Sequence, residues 1–277
     1  MNAFPRTTVD GVSLSRLIVG TNWFLGYSHT SLAKDNFIKA YQTRERIAEV
    51  IGTFLERGVD TVMGPASPLL IEAVRLAEQR AGKKVILVLT PGFSLDPACA
   101  AADSPQAAFD FCQKAGATFC LPHQCVTDAL IDRRAGVIRD IDLYTKMIRD
   151  RGMVPGLSTH MPEAVVYADK QNADIQTYIQ LYNSSGFLMQ VEVDWVMKVI
   201  QEAKKPVMTI KPLAAGKILP PVGLAFVWAT LRDCDMVTIG TTTPDEAKEA
   251  VELSLGFLGR RAADVKLQET RSKKSLK

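Results

Sequence analysis

The feature that most constrains this chain is an eightfold alternation of two patterns. Short runs of β-branched and aliphatic residues are each followed by a longer segment with apolar residues three and four apart. A short continuous apolar run suits a strand covered on both faces, and a three-four spacing suits a helix with one buried face. Strands alternating with helices point to parallel β/α units, and eight such units close a sheet into a barrel. The strand runs are LIVG (17–20), VDTVM (59–63), KVILVLT (84–90), ATFCLP (117–122), MVPGLS (153–158), IQTYIQLY (175–182), PVMTIK (206–211) and MVTIG (236–240).

The helical segments carry start and stop signals. Thr43 is placed to cap RERIAEVIGTFLER, which Gly58 ends, and Ser67-Pro68 opens a helix running to Ala81. Further helices are expected near Pro105, over 137–151, from Pro162, over 193–203, across GLAFVWATLRD and over 244–258, whereas 21–42 reads as a long loop. Asp10-Gly11 within TTVDGVSLSRL is a strong hairpin-turn pair. The expected fold is therefore α/β: a (β/α)8 TIM barrel with an N-terminal β-hairpin over residues 1–16. One domain spans 1–277 in this reading and ends in a polar tail over 260–277.

Composition narrows the function classes. The 33 basic and 30 acidic residues leave a net charge of +3, which argues against nucleic acid and anionic membranes as partners and for a small-molecule ligand. No apolar run reaches the roughly 18 residues a membrane helix needs, and MNAFPRTTVDG lacks the apolar core of a secretory leader. The five cysteines are odd in number and contain no C-x-x-C pair, as expected of reduced, mostly buried thiols in a cytoplasmic protein.

The candidate chemistry gathers in the loops that follow strands. All three histidines, His29, His123 and His160, fall after the first, fourth and fifth strands. In a barrel these loops converge on the C-terminal mouth, where barrel enzymes place their sites. Three neutral imidazoles suit a divalent metal such as zinc; alternatively, His123 and His160 act as acid and base. Lys211, closing the seventh strand in IKPL, suits anion binding and is counted with the catalytic candidates. Asn22 in GTNWF, and Gln180, Tyr182 and Asn183 in IQLYNSSG, are candidates for holding a polar substrate. Trp23 and Phe24 offer an apolar wall or core packing. Glu192 and Asp194 suit a helix start. Thr241, Thr242 and Thr243 precede Pro244, with Thr243 and Glu246 spaced for a capping box that could also present N–H groups to a phosphate. No GxGxxG or GKT motif is present, which excludes a Rossmann domain and a P-loop.

Three stretches carry a family resemblance. LAFVWATLRDCDMVTIGTTTPDEAKEAVELS, GLSTHMPEAV and PVMTIKPLAAGKI resemble the eighth, fifth and seventh units of the aldo-keto reductases, a family of NADP-dependent oxidoreductases. The resemblance implies a cofactor groove along Thr241–Thr243, and Ser158 with Thr159 holding the nicotinamide amide. The family's catalytic Asp, Tyr and Lys do not carry over: Met63 stands at the aspartate, no tyrosine follows it, and Thr90-Pro91 replaces the lysine. Only the histidine remains, as His123. The chain thus resembles a divergent member lacking most of that tetrad. NADPH is expected to bind poorly, because Thr241–Glu246 contains no cation and Ile210 occupies the place of a stacking aromatic. The segment GTNWFLGYSH also resembles a signature after the first strand of other barrel proteins, which specifies no activity. Three functions stay open: histidine- or metal-dependent chemistry on a small polar metabolite, an NAD(P)-dependent oxidoreductase with altered catalytic residues, and a non-catalytic ligand-binding barrel.

Overall fold

The computed structural model describes residues 4–265. Its parallel sheet contains nine strand segments. Two of them, Val154–Pro155 and Leu157–Thr159, are pieces of one strand interrupted at Gly156, so the sheet has eight strands. Closure is visible in the hydrogen bonds of that fifth strand. Its Val154, Gly156 and Ser158 N–H groups donate to Thr118, Cys120 and Pro122 of the fourth unit, while Leu157 N–H donates to Thr177 before the sixth strand. The result is the expected (β/α)8 barrel. Gly156 is required at the junction, since a Cβ there would lie 2.6 Å from the Thr177 carbonyl and 2.7 Å from the Leu121 side chain.

The other barrel strands are Leu17–Gly20, Thr61–Gly64, Ile86–Leu89, Phe119–Cys120, Tyr178–Leu181, Val207–Ile210 and Met236–Gly240. Alternate residues face opposite sides. Ile18, Met63, Val88, Phe119, Ile179, Met208 and Met236 fill the interior, and their neighbours pack outward against the helices. The N-terminal hairpin pairs Arg6–Val9 with Val12–Ser15 through Asp10 and Gly11, both at positive φ (49° and 79°). Val9 and Leu14 join the interior cluster, so the hairpin plugs the barrel end opposite the mouth.

Two expected boundaries are corrected. Residues 21–42 are not a loop: they hold a short helix, Asn22–Leu25, and a longer one, Leu32–Tyr41, capped by the Ser31 hydroxyl accepting from Lys34 N–H at 3.1 Å. Only Ile38 of the longer helix is buried, while Leu32 and Phe37 are exposed, so its sequence shows little periodicity. The helix expected over 137–151 starts later, at Ile141. Val137–Ile138 instead pairs with Ile131–Asp132, and Asp140 sits at φ 56°, outside helical backbone. The polar tail from 260 lies mostly outside the described residues. Its first part folds back, with Arg261 and the Asp264 N–H both on the Glu252 carboxylate.

All five cysteines are free, but only Cys112 and Cys120 are buried, and Cys125 is exposed. Among the described residues no helix is long and apolar enough to cross a membrane.

Candidate active site

A cavity of about 740 Å³ opens at the C-terminal mouth of the barrel. At one end His29, His123, His160 and Lys211 surround Met63, Thr90, Ser158 and Ile210; at the other, Pro212–Leu213 and Thr241–Thr242 face Glu246 and Glu249 of the last helix.

Each histidine is held by a different device. His29 sits at φ 58° in a turn fixed by Asp35, whose carboxylate accepts the Ser28 N–H (2.7 Å) and hydroxyl (2.5 Å). The His29 Nε2 lies 3.2 Å from the Asn22 amide nitrogen, which donates to it. His123 caps the helix Gln124–Leu130: its Nδ1 accepts the Cys125 N–H at 3.4 Å and lies 3.1 Å from the Cys125 thiol. With Nδ1 accepting, the neutral ring carries its proton on Nε2, leaving Nε2–H as a donor. His160 is positioned through its backbone N–H, which donates to Asp128 at 3.2 Å.

Lys211 acts on all three histidines, and His160 also feels the other two. Burial, reinforced by the Lys211 charge, lowers His29 and His123 below the usual histidine range. His160 is pushed down to about 4 by burial, then by Lys211, His123 and His29. Burial pulls Lys211 down to about 8. At neutral pH the three imidazoles are therefore uncharged and Lys211 carries the positive charge. Lys211 adopts φ 61°, with its carbonyl accepting from Ala214 N–H at 3.0 Å. A non-glycine residue in that region is costly, and such backbone concentrates at functional sites.

The structure corrects several site expectations. Among the described residues no three His, Cys, Asp or Glu side chains form a group able to hold a metal ion. The three histidines all line the mouth, with His29 Nε2 engaged by Asn22 and His123 Nδ1 by Cys125, but among the described residues they do not gather into a metal-holding group. Gln180 is buried outside the cavity, because Ile179 takes the interior-facing position and Gln180 shares the outward parity of Tyr178 and Tyr182. Tyr182 donates to the Thr230 hydroxyl at 2.9 Å. Asn183 is spent on its own loop, accepting from Ser185 and Phe187 N–H groups and donating to the Phe187 carbonyl. Thr159 turns away from the cavity to Asp128, so only Ser158 of that pair lines it. Trp23 is a cavity wall, while Phe24 is core.

At the far end Thr243 caps the last helix, its hydroxyl accepting the Glu246 N–H at 3.3 Å, and Glu246 reaches back to the Thr242 N–H at 2.5 Å. This reciprocal box places a carboxylate where a phosphate would sit. Cys125 already stands out in the sequence as one of two cysteines flanking His123. Sequence reasoning missed Asp128 and Asp35, whose roles depend on contacts across the fold or around a turn. It also missed the part Glu246 and Glu249 play in the cavity wall, although Glu249 falls one helical turn after Glu246.

No family model and no curated protein matches the sequence. Solved structures do. A protein described as an aldo-keto reductase from Pseudomonas aeruginosa superposes with a TM-score of 0.65 at 15% identity, covering 91% of this chain and 95% of its own. The fold is that of the aldo-keto reductases. An aldo/keto reductase from Brucella melitensis gives 0.59 at 12% identity, covering 97% and 95% of the two chains. A glycerol dehydrogenase from Gluconobacter oxydans gives 0.52 at 12%, covering 95% and 99%. At these identities the likeness is one of fold, and the reductase-like barrel here carries its own set of mouth residues.

Proposed function

We propose that this reductase-like barrel is a nicotinamide-dependent oxidoreductase in which a lysine–histidine cluster replaces the tyrosine-centred acid. The observation that carries the reading is the continuity of the cavity, from Lys211 and the histidines to the Thr241–Thr242 turn before the last helix. A dinucleotide is long, and this cavity gives it a catalytic end and a distal end.

The lining supports such a cofactor in a particular form. Thr238 and Thr241 line the eighth-strand wall, and their buried hydroxyls have no partner among the described residues. Ser158, which lines the same end of the cavity, offers a hydroxyl to a carboxamide. Glu246 and Glu249 would repel an added 2′-phosphate at the distal end, so the fit is to a dinucleotide without one. When bound, the nicotinamide supplies or accepts a hydride. His123 would hydrogen-bond the substrate carbonyl oxygen through its Nε2–H, and the Lys211 ammonium would give that oxygen the proton that completes the alcohol, regaining it from solvent. Met63, Ile179 and Ile210 keep this end apolar, which strengthens both interactions.

The test is binding. NADH should quench Trp23 emission saturably, and Trp23→Phe should remove that component of the quenching. Absence of saturable binding of both NADH and NADPH up to about 1 mM, the range of weak specific association, would overturn the reading.

A further inference from the structure

The geometry points to a substrate that carries a carboxylate beside its reacting carbonyl, with Lys211 as the residue that selects it. The carbonyl half rests on the oxidoreductase reading; the carboxylate half rests on the cavity alone.

Lys211 is the only basic group of the mouth cluster that is charged at neutral pH, and burial alone perturbs it, with no carboxylate opposing that effect. A buried ammonium without a counter-charge is unfavourable, and is relieved by losing its proton or gaining an anion. The cavity's own carboxylates do not serve. Glu246 is engaged by Thr242 N–H, and Glu249 belongs to the same distal helix. The backbone fixes the lysine where it is, at φ 61° and directly before Pro212, a combination that both side-chain sterics and the following proline disfavour. The counter-anion therefore arrives with the ligand.

The size of the charge selects its class. One ammonium among three uncharged imidazoles balances a monoanion. Among the described residues no arginine stands with Lys211 in the cavity to grip a substrate phosphate with paired N–H groups. Lys211 and the His123 Nε2–H are two separate donors lining one mouth, one suited to a carboxylate and one to a carbonyl oxygen, the pair that a small 2-oxo acid offers. Neutralising Lys211 also removes part of what holds the histidines uncharged, so binding should draw protons onto the cluster. The groups that face Lys211 or share its cavity are His29 and Tyr27 after the first strand, His123 after the fourth, His160 after the fifth, and Glu246 and Glu249 on the last helix.

Pyruvate and pyruvamide have nearly the same shape and differ in charge. Each is titrated calorimetrically into the protein at pH 7, with and without NADH. Pyruvate should bind at least about tenfold more tightly, one ion-pair's worth of discrimination. Its affinity should fall about 30-fold from pH 7 to 9.5, following the ammonium fraction of a group at about 8. At pH 7, buffers of different ionisation enthalpy should reveal net proton uptake on binding. Lys211→Met should abolish the preference for pyruvate. Equal affinities, no binding of either compound, or a preference that survives in Lys211→Met would each overturn the inference, and the wild-type comparison decides it if the variant does not fold. Tighter binding of inorganic phosphate than of pyruvate would overturn it in favour of a phosphate site. NADH binding without a pyruvate preference sinks this inference and leaves the oxidoreductase reading standing. A pyruvate preference without NADH or NADPH binding does the opposite.

Discussion

The Asp128 carboxylate accepts the backbone N–H of His160 at 3.2 Å, and with its other oxygen the Thr159 hydroxyl at 2.5 Å. A residue on the helix after the fourth strand thus fixes the end of the fifth. Hydrogen bonds to a charged acceptor contribute about 1.5–3 kcal/mol each. Asp128→Ala should lower unfolding free energy by roughly 2–3 kcal/mol in urea titrations, and Asp128→Asn, which keeps one acceptor, by less than half of that. If Asp128 also positions the ring, NMR titration of Asp128→Asn will show the His160 pKa moving up from about 4 toward its usual value. An unmoved His160 pKa would reduce Asp128 to a purely structural role.

The depressed histidines make stability depend on acid in a definite direction. His160 binds a proton near 4 in the folded protein and near 6.5 when unfolded. The unfolded chain therefore takes up protons first as the pH falls. The stabilisation is complete above about 6.5 and is lost as the pH drops toward 4. After allowance for partial solvent screening it amounts to roughly 2 kcal/mol, and His29 and His123 act in the same direction. Melting temperature measured from pH 7.5 to 4 should fall accordingly, and His160→Gln should flatten the curve. A wild-type curve that stays flat across that window excludes this account.

Glu246 should set the choice of dinucleotide. Its carboxylate occupies the Thr242 N–H at the start of the last helix, and Glu249 adds a second negative charge on the cavity wall. NADH should bind more tightly than NADPH. Glu246→Gln keeps a capping side chain while removing the charge, and should improve NADPH affinity about fivefold, or ~1 kcal/mol, with little change for NADH. Calorimetry that finds NADPH the tighter ligand in the wild-type protein contradicts this assignment.

Barrel closure should be sensitive to a single methyl group. Gly156→Ala would place a Cβ 2.6 Å from the Thr177 carbonyl, on the strand that joins the fourth unit to the sixth. Overpacking of this kind costs about 1–3 kcal/mol, and relief by separating the strands would open the barrel. A loss of at least about 1 kcal/mol in equilibrium unfolding is expected. A melting temperature unchanged within error would show that the junction can relax.

The sequence by itself determined the barrel, because eight apolar runs covered on both faces, separated by amphipathic helices, have few other ways to bury their surface. Local chemistry also placed the Asp10-Gly11 turn, the Thr43 cap and the Thr243–Glu246 box, since each is set by residues within a few positions of one another. Strand order brought the loops of His123 and His160 together, and the tertiary structure added His29 by folding its segment over the mouth with Ser28 and Asp35. Which polar side chains face the cavity was decided only by the fold. Gln180 and Tyr182 lost that position to strand parity, and Asn183 to its own loop, although each looked as suitable as Asn22. The proton state of the site was likewise invisible in the chain: no local pattern places Lys211 beside three imidazoles, and their charges depend on burial and proximity that exist only once the barrel has closed.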